Sequence, residues 1–223
     1  MDSKFLALQG SYKQLQIALF HNTRLIEKIV EEGSRSSAML IPHINTLLQN
    51  NQFDLTALNF IVIDQGPGAF TSLRVTISSV NALAYALKIP LIGIDGLDAL
   101  AEQTQKLPDH QYVVLLNAFN QEVFYGIYDS KGSVLEPKGY LPIEKLLTHL
   151  KTTYRKICFV GNGAHLFAEK IKKEFSEATI LPDDMATAQT IGRMGFELWN
   201  KETQKTTKLL PLYMKLQTYA IKT

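Results

Sequence analysis

The chain has 223 residues, 46% of them hydrophobic and 20% charged, which is the composition of an ordinary globular protein with one large or two small domains. Its formal net charge of +2 is too small to imply nucleic acid or a membrane surface as an obligate partner. No apolar run approaches the length of a membrane span, and a lone cysteine excludes a disulfide framework, so we expect a cytoplasmic protein without a metal cluster.

The first half of the chain predicts a sheet whose later strands alternate with helices. Three strands joined by tight turns are expected at residues 5–9, 14–20 and 24–30. A helix follows, with an apolar face formed by Leu40, Ile41, Ile44, Leu47 and Leu48. Beyond it we expect a strand ending at Ile63, a glycine loop, a long helix, a strand at 90–94, and a helix capped by Asp95 and Asp98. This order is typical of an α/β unit.

The glycine loop does not have the composition of a phosphate-binding loop. Gly66 and Gly68 fit the spacing of the dinucleotide fingerprint, but Thr71 occupies the position of its third glycine. The Lys-Ser or Lys-Thr pair of a nucleoside-triphosphate loop is absent at the required spacing. Pro67 also removes one of the backbone N–H donors on which an anion site depends.

The helix after the loop has two distinct faces. Apolar residues at helical spacing predict a core-facing stripe, formed by Leu73, Ile77, Val80, Ala84 and Leu87. Beside it runs a ridge of small side chains, formed by Ser72, Thr76, Ser79 and Ala86. Small residues let a second helix approach closely, so the ridge is either a helix-packing surface or a solvated face, and spacing alone leaves both open.

Arg74 lies in the first turn of this helix, where the helix dipole disfavours a cation by a few tenths to about 1 kcal/mol. We therefore expect a compensating contact with a nearby carboxylate or with a partner chain.

The second half of the chain repeats the first. Strands are expected at 112–116, 122–128, 134–140, 157–160 and near Ile180, with helices at 143–150, 165–175 and 189–201. A Gly-x-Gly-Ala loop recurs at the same place, as residues 66–69 and again as residues 161–164. A repeat this long indicates two related domains, which we place at residues 1–106 and 107–223.

Two tandem units of this order resemble the superfamily of actin, Hsp70 and sugar kinases, which has two ribonuclease-H-like domains. In that superfamily the first hairpin of each half typically carries an aspartate for metal binding and catalysis. Here the matching turns are 9–11 and 117–120, and they carry the amides Gln9 and Asn117. An amide cannot act as a general base and is a poorer magnesium ligand, so we expect no catalytic residue, metal or cofactor.

Residues 66–75, Gly-Pro-Gly-Ala-Phe-Thr-Ser-Leu-Arg-Val, resemble the signature G-P-G-S-F-T-G-L-R-[IV] of the bacterial TsaB family of tRNA threonylcarbamoyladenosine biosynthesis proteins, a glycoprotease-related family. The signature positions are Gly66, Pro67, Gly68, Phe70, Thr71, Leu73 and Arg74. The terminal Pro-Leu-Tyr-Met-Lys at 211–215 is similar to the family's P-x-Y-L-R. The chain departs from the family at its first turn and at Ser72 and Thr76, where the family has glycine near the signature arginine.

The resemblance implies a non-catalytic subunit for modification of the adenosine next to the tRNA anticodon. Such a subunit pairs with the larger homologue TsaD, with the small ATPase TsaE in a larger assembly, and contacts tRNA indirectly. The resemblance implies a partner surface on the helices at 37–50 and 72–87, including Leu40, His43, Leu47, Ser72, Thr76 and Ser79. Phe70 and Arg74 are expected to shape the loop that presents these two helices to the partner. A homodimer in the absence of the partner remains open.

Two alternatives accompany this interpretation. One is an enzyme, a phosphotransferase or peptidase, that uses the cleft between the domains with Asp64, Asp95, Glu122 and Ser11. The other concerns the lysines of the C-terminal tail, which either touch tRNA phosphates or form a solvated face.

Overall fold

Two five-stranded sheets form the centre of the structure, a computed structural model that describes residues 2–12, 14–33, 36–104 and 107–215. The first sheet has the order β3-β2-β1-β4-β5, formed by β1 (Lys4–Gln9), β2 (Gln14–His21), β3 (Arg24–Glu32), β4 (Phe60–Asp64) and β5 (Leu91–Ile94). The second has the order β10-β9-β6-β7-β8, formed by β6 (Gln111–Asn117), β7 (Glu122–Tyr128), β8 (Val134–Pro142), β9 (Ile157–Val160) and β10 (Thr179–Ile180).

Both sheets have the same topology. The first three strands of each half pair antiparallel, and the last two are added in parallel beside the first. Parallel neighbours need a long crossover, and helices supply it in both halves. The predicted α/β fold with two tandem ribonuclease-H-like units is confirmed.

The helices follow the predicted order with one difference. They are α1 (Leu40–Asn50), α2 (Phe70–Leu87), α3 (Gly96–Gln103), α4 (Ile143–Thr153), α5 (Asn162–Leu166), α6 (Ala168–Glu174) and α7 (Ala188–Asn200), with short 3₁₀ turns at Ser36–Met39 and Leu55–Ala57. The single helix expected at 165–175 is interrupted at Phe167, whose ring is buried in the core of the second sheet. Within the described ranges, no helix is long and apolar enough to cross a bilayer.

Alternation along the strands divides the interior into layers. In β1, Leu6 and Leu8 face the core under α1 and α2, whereas Phe5 and Ala7 face a central core between the two sheets. The lone Cys158 lies in this central core, as predicted for a strand thiol. A third core lies between the second sheet and the helices α4, α5 and α6.

Helix α7 follows the second sheet in sequence but packs against the first. Its Trp199 ring stacks on Phe60 with centroids 4.3 Å apart, and Phe196 stacks on Phe5 at 5.7 Å. Phe5 and Phe60 stack on each other at 4.4 Å, which completes an aromatic stack through the central core. The division of the chain at residues 106 and 107 stays a prediction, and α7, which lies beyond that division in sequence, packs on elements of the first half.

Candidate partner surface and interdomain cleft

The signature loop is held tightly against the first turn of the chain. The Ala69 amide donates to the Ser11 carbonyl at 2.7 Å. A Cβ at Gly68 would stand 2.5 Å from that same carbonyl oxygen, so only glycine permits this approach. The Gly66 amide donates to the Asp64 carboxylate at 2.8 Å. Two of the loop's amide donors, those of Gly66 and Ala69, are therefore engaged by oxygens of the protein itself.

The Thr76 side chain joins α2 to the turn at residues 9–11. Its hydroxyl donates to the Ser72 carbonyl at 2.9 Å and lies 3.3 Å from the Gly10 carbonyl. A Cβ at Gly10 would stand 2.6 Å from the Thr76 oxygen. Because the Thr76 side chain is only 1% exposed, it belongs to the interior of this chain. Substitution at Thr76 would test the fold and not a partner contact.

The predicted partner surface needs a correction. Leu40 and Leu47 lie in the core beneath α1, and together with Thr76 they cannot reach a partner without unpacking that core. A partner surface on these two helices stays a prediction, and burial excludes only these three side chains from it. His43 is mostly buried and its Nε2 lies 3.2 Å from the Glu31 carboxylate. Ser72 and Ser79 are half-buried, so their role in a partner surface stays a prediction.

The solvent-facing side of α2 carries one charge, that of Arg74. We define the α2 outer face as its exposed residues Thr71, Val75, Ser78, Ala82, Tyr85 and Ala86. Arg74, at the edge of this face, is the only charged residue in the 18-residue helix. Exposed helix faces normally carry charged side chains, and large aromatic residues are seldom left in solvent. Tyr85 is nevertheless 85% exposed, and the lack of charge in this helix is the sequence signal that could have found it.

Two aromatic rings accompany Arg74. Its guanidinium carbon lies 3.8 Å from the Phe70 ring centroid and 5.6 Å from that of Tyr213, and its Nε donates to the Tyr213 hydroxyl at 2.7 Å. The expectation of a compensating carboxylate within the chain is wrong for the described residues, where none pairs with Arg74. Exposed cation–π contacts contribute about 0.5–1 kcal/mol each, which is enough to offset the helix dipole.

Tyr213 belongs to a C-terminal segment, residues 206–215, that we call the strap. The strap pairs with the edge strand β5 through Thr206 and Leu91, and Leu209 exchanges two hydrogen bonds of 2.9 Å with the Asn81 side chain on α2. Lys215 at its end forms an ion pair with Glu122 of the second sheet. The strap thus crosses from the edge of the first sheet over α2 to the second. The predicted tail lysine Lys222 lies outside the described residues.

The two turns at the interdomain cleft are joined directly. The Tyr12 hydroxyl donates to the Asn117 carbonyl at 2.8 Å, which links the first hairpin of one half to that of the other. Gln9 is fully buried, and its amide donates to the Ser11 hydroxyl at 2.9 Å. The Asn117 side chain accepts from the Phe119 amide at 2.8 Å. The Gln9 amide nitrogen and the Asn117 side-chain oxygen therefore serve local structure, whereas the buried Gln9 Oε1 has no hydrogen-bond partner among the described residues.

The carboxylates available for an enzyme are engaged inside the protein. Asp95 caps α3 through the Leu97 amide and forms an ion pair with Lys138 of β8, which also contacts Asp98 at 2.8 Å. Sequence reasoning missed Lys138 because it lies 43 residues from Asp95. Ser11, the hydroxyl of the enzyme alternative, is buried. Within the part of the chain that the structure describes, no group of three metal-ligating side chains converges.

The sequence model of the family described as TsaD, tRNA N6-adenosine threonylcarbamoyltransferase, matches residues 31–211, a range that includes parts of both sheets, the α2 outer face and most of the strap. The chain belongs to the TsaD family.

Curated relatives in the TsaD family bear the TsaB name. The chain is 29% identical to the tRNA threonylcarbamoyladenosine biosynthesis protein TsaB of Buchnera aphidicola subsp. Schizaphis graminum over 182 residues, which are 79% of this chain and 84% of the relative. It is 25% identical to the protein of that name from Bacillus subtilis over 95% of this chain and 93% of the relative. The predicted resemblance to TsaB is confirmed.

Solved structures agree on the fold of this TsaD-family chain. A Pseudomonas aeruginosa protein described as uncharacterized with similarity to peptidase YeaZ has a TM-score of 0.79 at 24% identity, covering 96% of this chain and 100% of its own. YeaZ from the same organism has a TM-score of 0.77 at 24% identity, covering 95% and 99%. At this identity the likeness establishes the fold alone.

Asp64 gives the TsaD-family chain an expected dependence of stability on pH. Complete burial raises the pKa of this carboxyl from 3.8 to about 6, against the opposing hydrogen bond from Gly66. Between these values the folded state binds a proton that the unfolded state has released, so stability falls as pH rises from 4 to above 6. Asp64→Asn removes the titrating group but keeps an acceptor for the Gly66 amide. We expect the stability of wild type relative to Asp64→Asn to fall by about 2–3 kcal/mol from pH 4 to pH 7.5.

Urea unfolding at both pH values measures this difference. Asp109→Asn, at an exposed turn with a left-handed backbone that asparagine tolerates, is the matched control for removing a carboxyl. The prediction would be contradicted if the free energies of unfolding of wild type and Asp64→Asn differed by the same amount at pH 4 and at pH 7.5.

Proposed function

We propose that this TsaD-family chain is a non-catalytic subunit required for threonylcarbamoyl modification of the adenosine next to the anticodon in tRNA. In this role it binds and stabilises the catalytic homologue TsaD. The observation that carries the proposal is the α2 outer face, an uncharged and solvent-exposed helix surface with Tyr85 at 85% exposure. Exposed apolar surface of this kind marks protein–protein contacts, and tyrosine is enriched at their energetic centres.

The geometry around α2 suits a surface for a partner. Leu73, Ile77 and Val80 anchor the opposite side of the helix in the core of the first sheet. The signature loop ties its start to the first turn, and the strap ties its flank through Asn81. A helix held on three sides presents its remaining side with little loss of conformational entropy on binding, which favours affinity.

The interdomain cleft supports the non-catalytic part of the proposal. The superfamily's catalytic aspartates are replaced by Gln9 and Asn117, and neither can act as a general base. The Tyr12 hydroxyl joins the turn at residues 9–11 to the turn at residues 117–120. Chemistry in the assembly is then the task of the partner.

The remaining partners are proposed with the function. The small ATPase TsaE joins the assembly, tRNA is contacted through the complex, and the α2 outer face pairs with a second copy when the catalytic partner is missing. Work on tRNA in a bacterium implies the cytoplasm. Among the tail lysines, Lys205 has its ammonium 4.0 Å from the Trp199 ring centroid, a contact within this chain.

Reconstitution tests the proposal. We expect the chain to co-purify with the TsaD homologue of its own source, and tRNA threonylcarbamoylation by the reconstituted mixture to fall at least about tenfold when the chain is omitted. The isolated chain should neither bind nor hydrolyse ATP. Tight ATP binding by the isolated chain without a complex would overturn the proposal in favour of a nucleotide-dependent enzyme.

A further inference from the structure

We propose that Arg74 binds a carboxylate of the protein partner at the edge of the α2 outer face, and that the strap positions Arg74 for this contact through Tyr213. This inference rests on the proposed function and names the chemistry by which the partner is recognised.

The guanidinium of Arg74 is fixed in direction while most of its donors are free. Stacking against Phe70 and the hydrogen bond to Tyr213 use one face of the group and its Nε. A guanidinium has five N–H donors, and the four on its terminal nitrogens have no acceptor among the described residues. A fork of donors held by aromatic rings matches the two oxygens of a carboxylate, because planar bidentate pairing needs this fixed geometry.

The neighbouring surface explains why the partner must supply a charge. Arg74 follows the exposed Phe70 by one turn and directly precedes the exposed Val75. A partner that covers Phe70 and Val75 also removes water from Arg74. An arginine that loses its water without gaining an acceptor destabilises the complex, so a productive partner places an acidic side chain opposite it.

The same surface favours a protein carboxylate over an RNA phosphate. Surfaces that bind RNA carry clustered basic residues. The α2 outer face has none, and Lys88 comes only after the helix ends. One arginine beside tyrosine and small apolar residues instead has the composition of a protein contact centre, where arginine and tyrosine are enriched.

The strap holds Tyr213 in place from both sides. On one side Leu212 donates its amide to the Gln65 carbonyl at 2.9 Å, and on the other Lys215 pairs with Glu122. Tyr213 is therefore a positioning residue. Its hydroxyl accepts the Nε–H of Arg74 and so orders the guanidinium, while the terminal nitrogens keep their donors for the partner.

Affinity for the purified TsaD homologue, measured by titration calorimetry in 50 and 300 mM salt, tests both parts. We expect Arg74→Gln to weaken binding about tenfold or more at low salt and to lose most of the salt dependence. Arg74→Lys should restore the salt dependence but only part of the affinity, since lysine lacks the planar fork. Tyr213→Phe should weaken binding several-fold in the wild-type background and have no further effect beside Arg74→Gln, because both changes remove one contact.

The outcomes separate this inference from the proposed function. The second variant needed here is Ala82→Glu, which places a charge on the α2 outer face. If Ala82→Glu abolishes binding while Arg74→Gln binds with wild-type affinity, the inference is overturned and the proposed function stays intact. If neither variant weakens the complex, the proposed surface itself is wrong. Loss of tRNA binding with unchanged affinity for the homologue would assign Arg74 to a phosphate and overturn the carboxylate. Additive effects of Tyr213→Phe and Arg74→Gln would overturn the positioning role.

Discussion

Replacing Ala82 with glutamate is expected to abolish the complex with the TsaD homologue while leaving the chain folded. Ala82 is exposed at the middle of the α2 outer face, and glutamate is a good helix former, so the free chain has no reason to unfold. In the complex the new carboxylate would be buried without a counter-ion, which costs about 3 kcal/mol or more. That free energy corresponds to a loss of affinity of more than about a hundredfold, measurable by sedimentation velocity and by the tRNA modification assay.

The control places the same charge on another exposed helix position. Thr148→Glu on α4 should leave both the complex and the modification activity unchanged. Tyr85→Ala, which truncates the most exposed aromatic residue, should give a weaker complex, with a loss of about 2 kcal/mol if Tyr85 is a binding centre. A tight complex formed by the Ala82→Glu variant would exclude the α2 outer face as the partner surface.

Replacing Phe60 with alanine is expected to be among the most destabilising single changes in the chain. Phe60 is fully buried between Phe5 and Trp199, at centroid distances of 4.4 Å and 4.3 Å. Removing a buried phenylalanine ring costs about 3–5 kcal/mol through lost burial and the cavity that remains. Because the free energy of unfolding of a domain is typically only about 5–15 kcal/mol, this substitution would remove a large part of it.

Trp199 makes this effect directly observable. It is the only tryptophan of the chain, so its fluorescence reports the contact between α7 and the first sheet. We expect the midpoint of urea unfolding to fall sharply for Phe60→Ala. Phe119→Ala, at an exposed turn, should change the free energy of unfolding by less than about 0.5 kcal/mol. Similar unfolding curves for wild type and Phe60→Ala would show that the aromatic stack does not hold α7 in place.

Apolar runs bounded by turn residues were sufficient to predict the strands of both sheets. Strands β1, β2 and β3 were expected from runs of apolar residues broken by turn residues, and the structure has all three. The repeat of the Gly-x-Gly-Ala sequence indicated the tandem topology, because each copy follows the first parallel strand of its sheet. The second copy was expected to be a loop, but residues 162–164 form the start of α5. Local periodicity carries this information since it depends only on neighbours in sequence.

The covered face of each helix could not be predicted in the same way. Thr76 belongs to a ridge of small residues in the helical pattern, yet the turn at Gly10 lies on top of it. Leu40 and Leu47 lie on the apolar face of α1, which the first sheet buries completely, whereas Ile41, expected on the same face, is exposed. Periodicity identifies a face but not the element that covers it.

The amino-acid sequence by itself determined the α/β repeat, the amides at the two cleft turns and the membership in the TsaD family. The tertiary structure alone decided which side of α2 is open, why Arg74 is tolerated at a helix start, and how the strap joins the two halves. The reason is physical: Arg74 and Tyr213 are 139 residues apart, and Tyr12 and Asn117 are 105 apart. No local preference encodes such contacts, which form only when the two sheets and α7 have packed together.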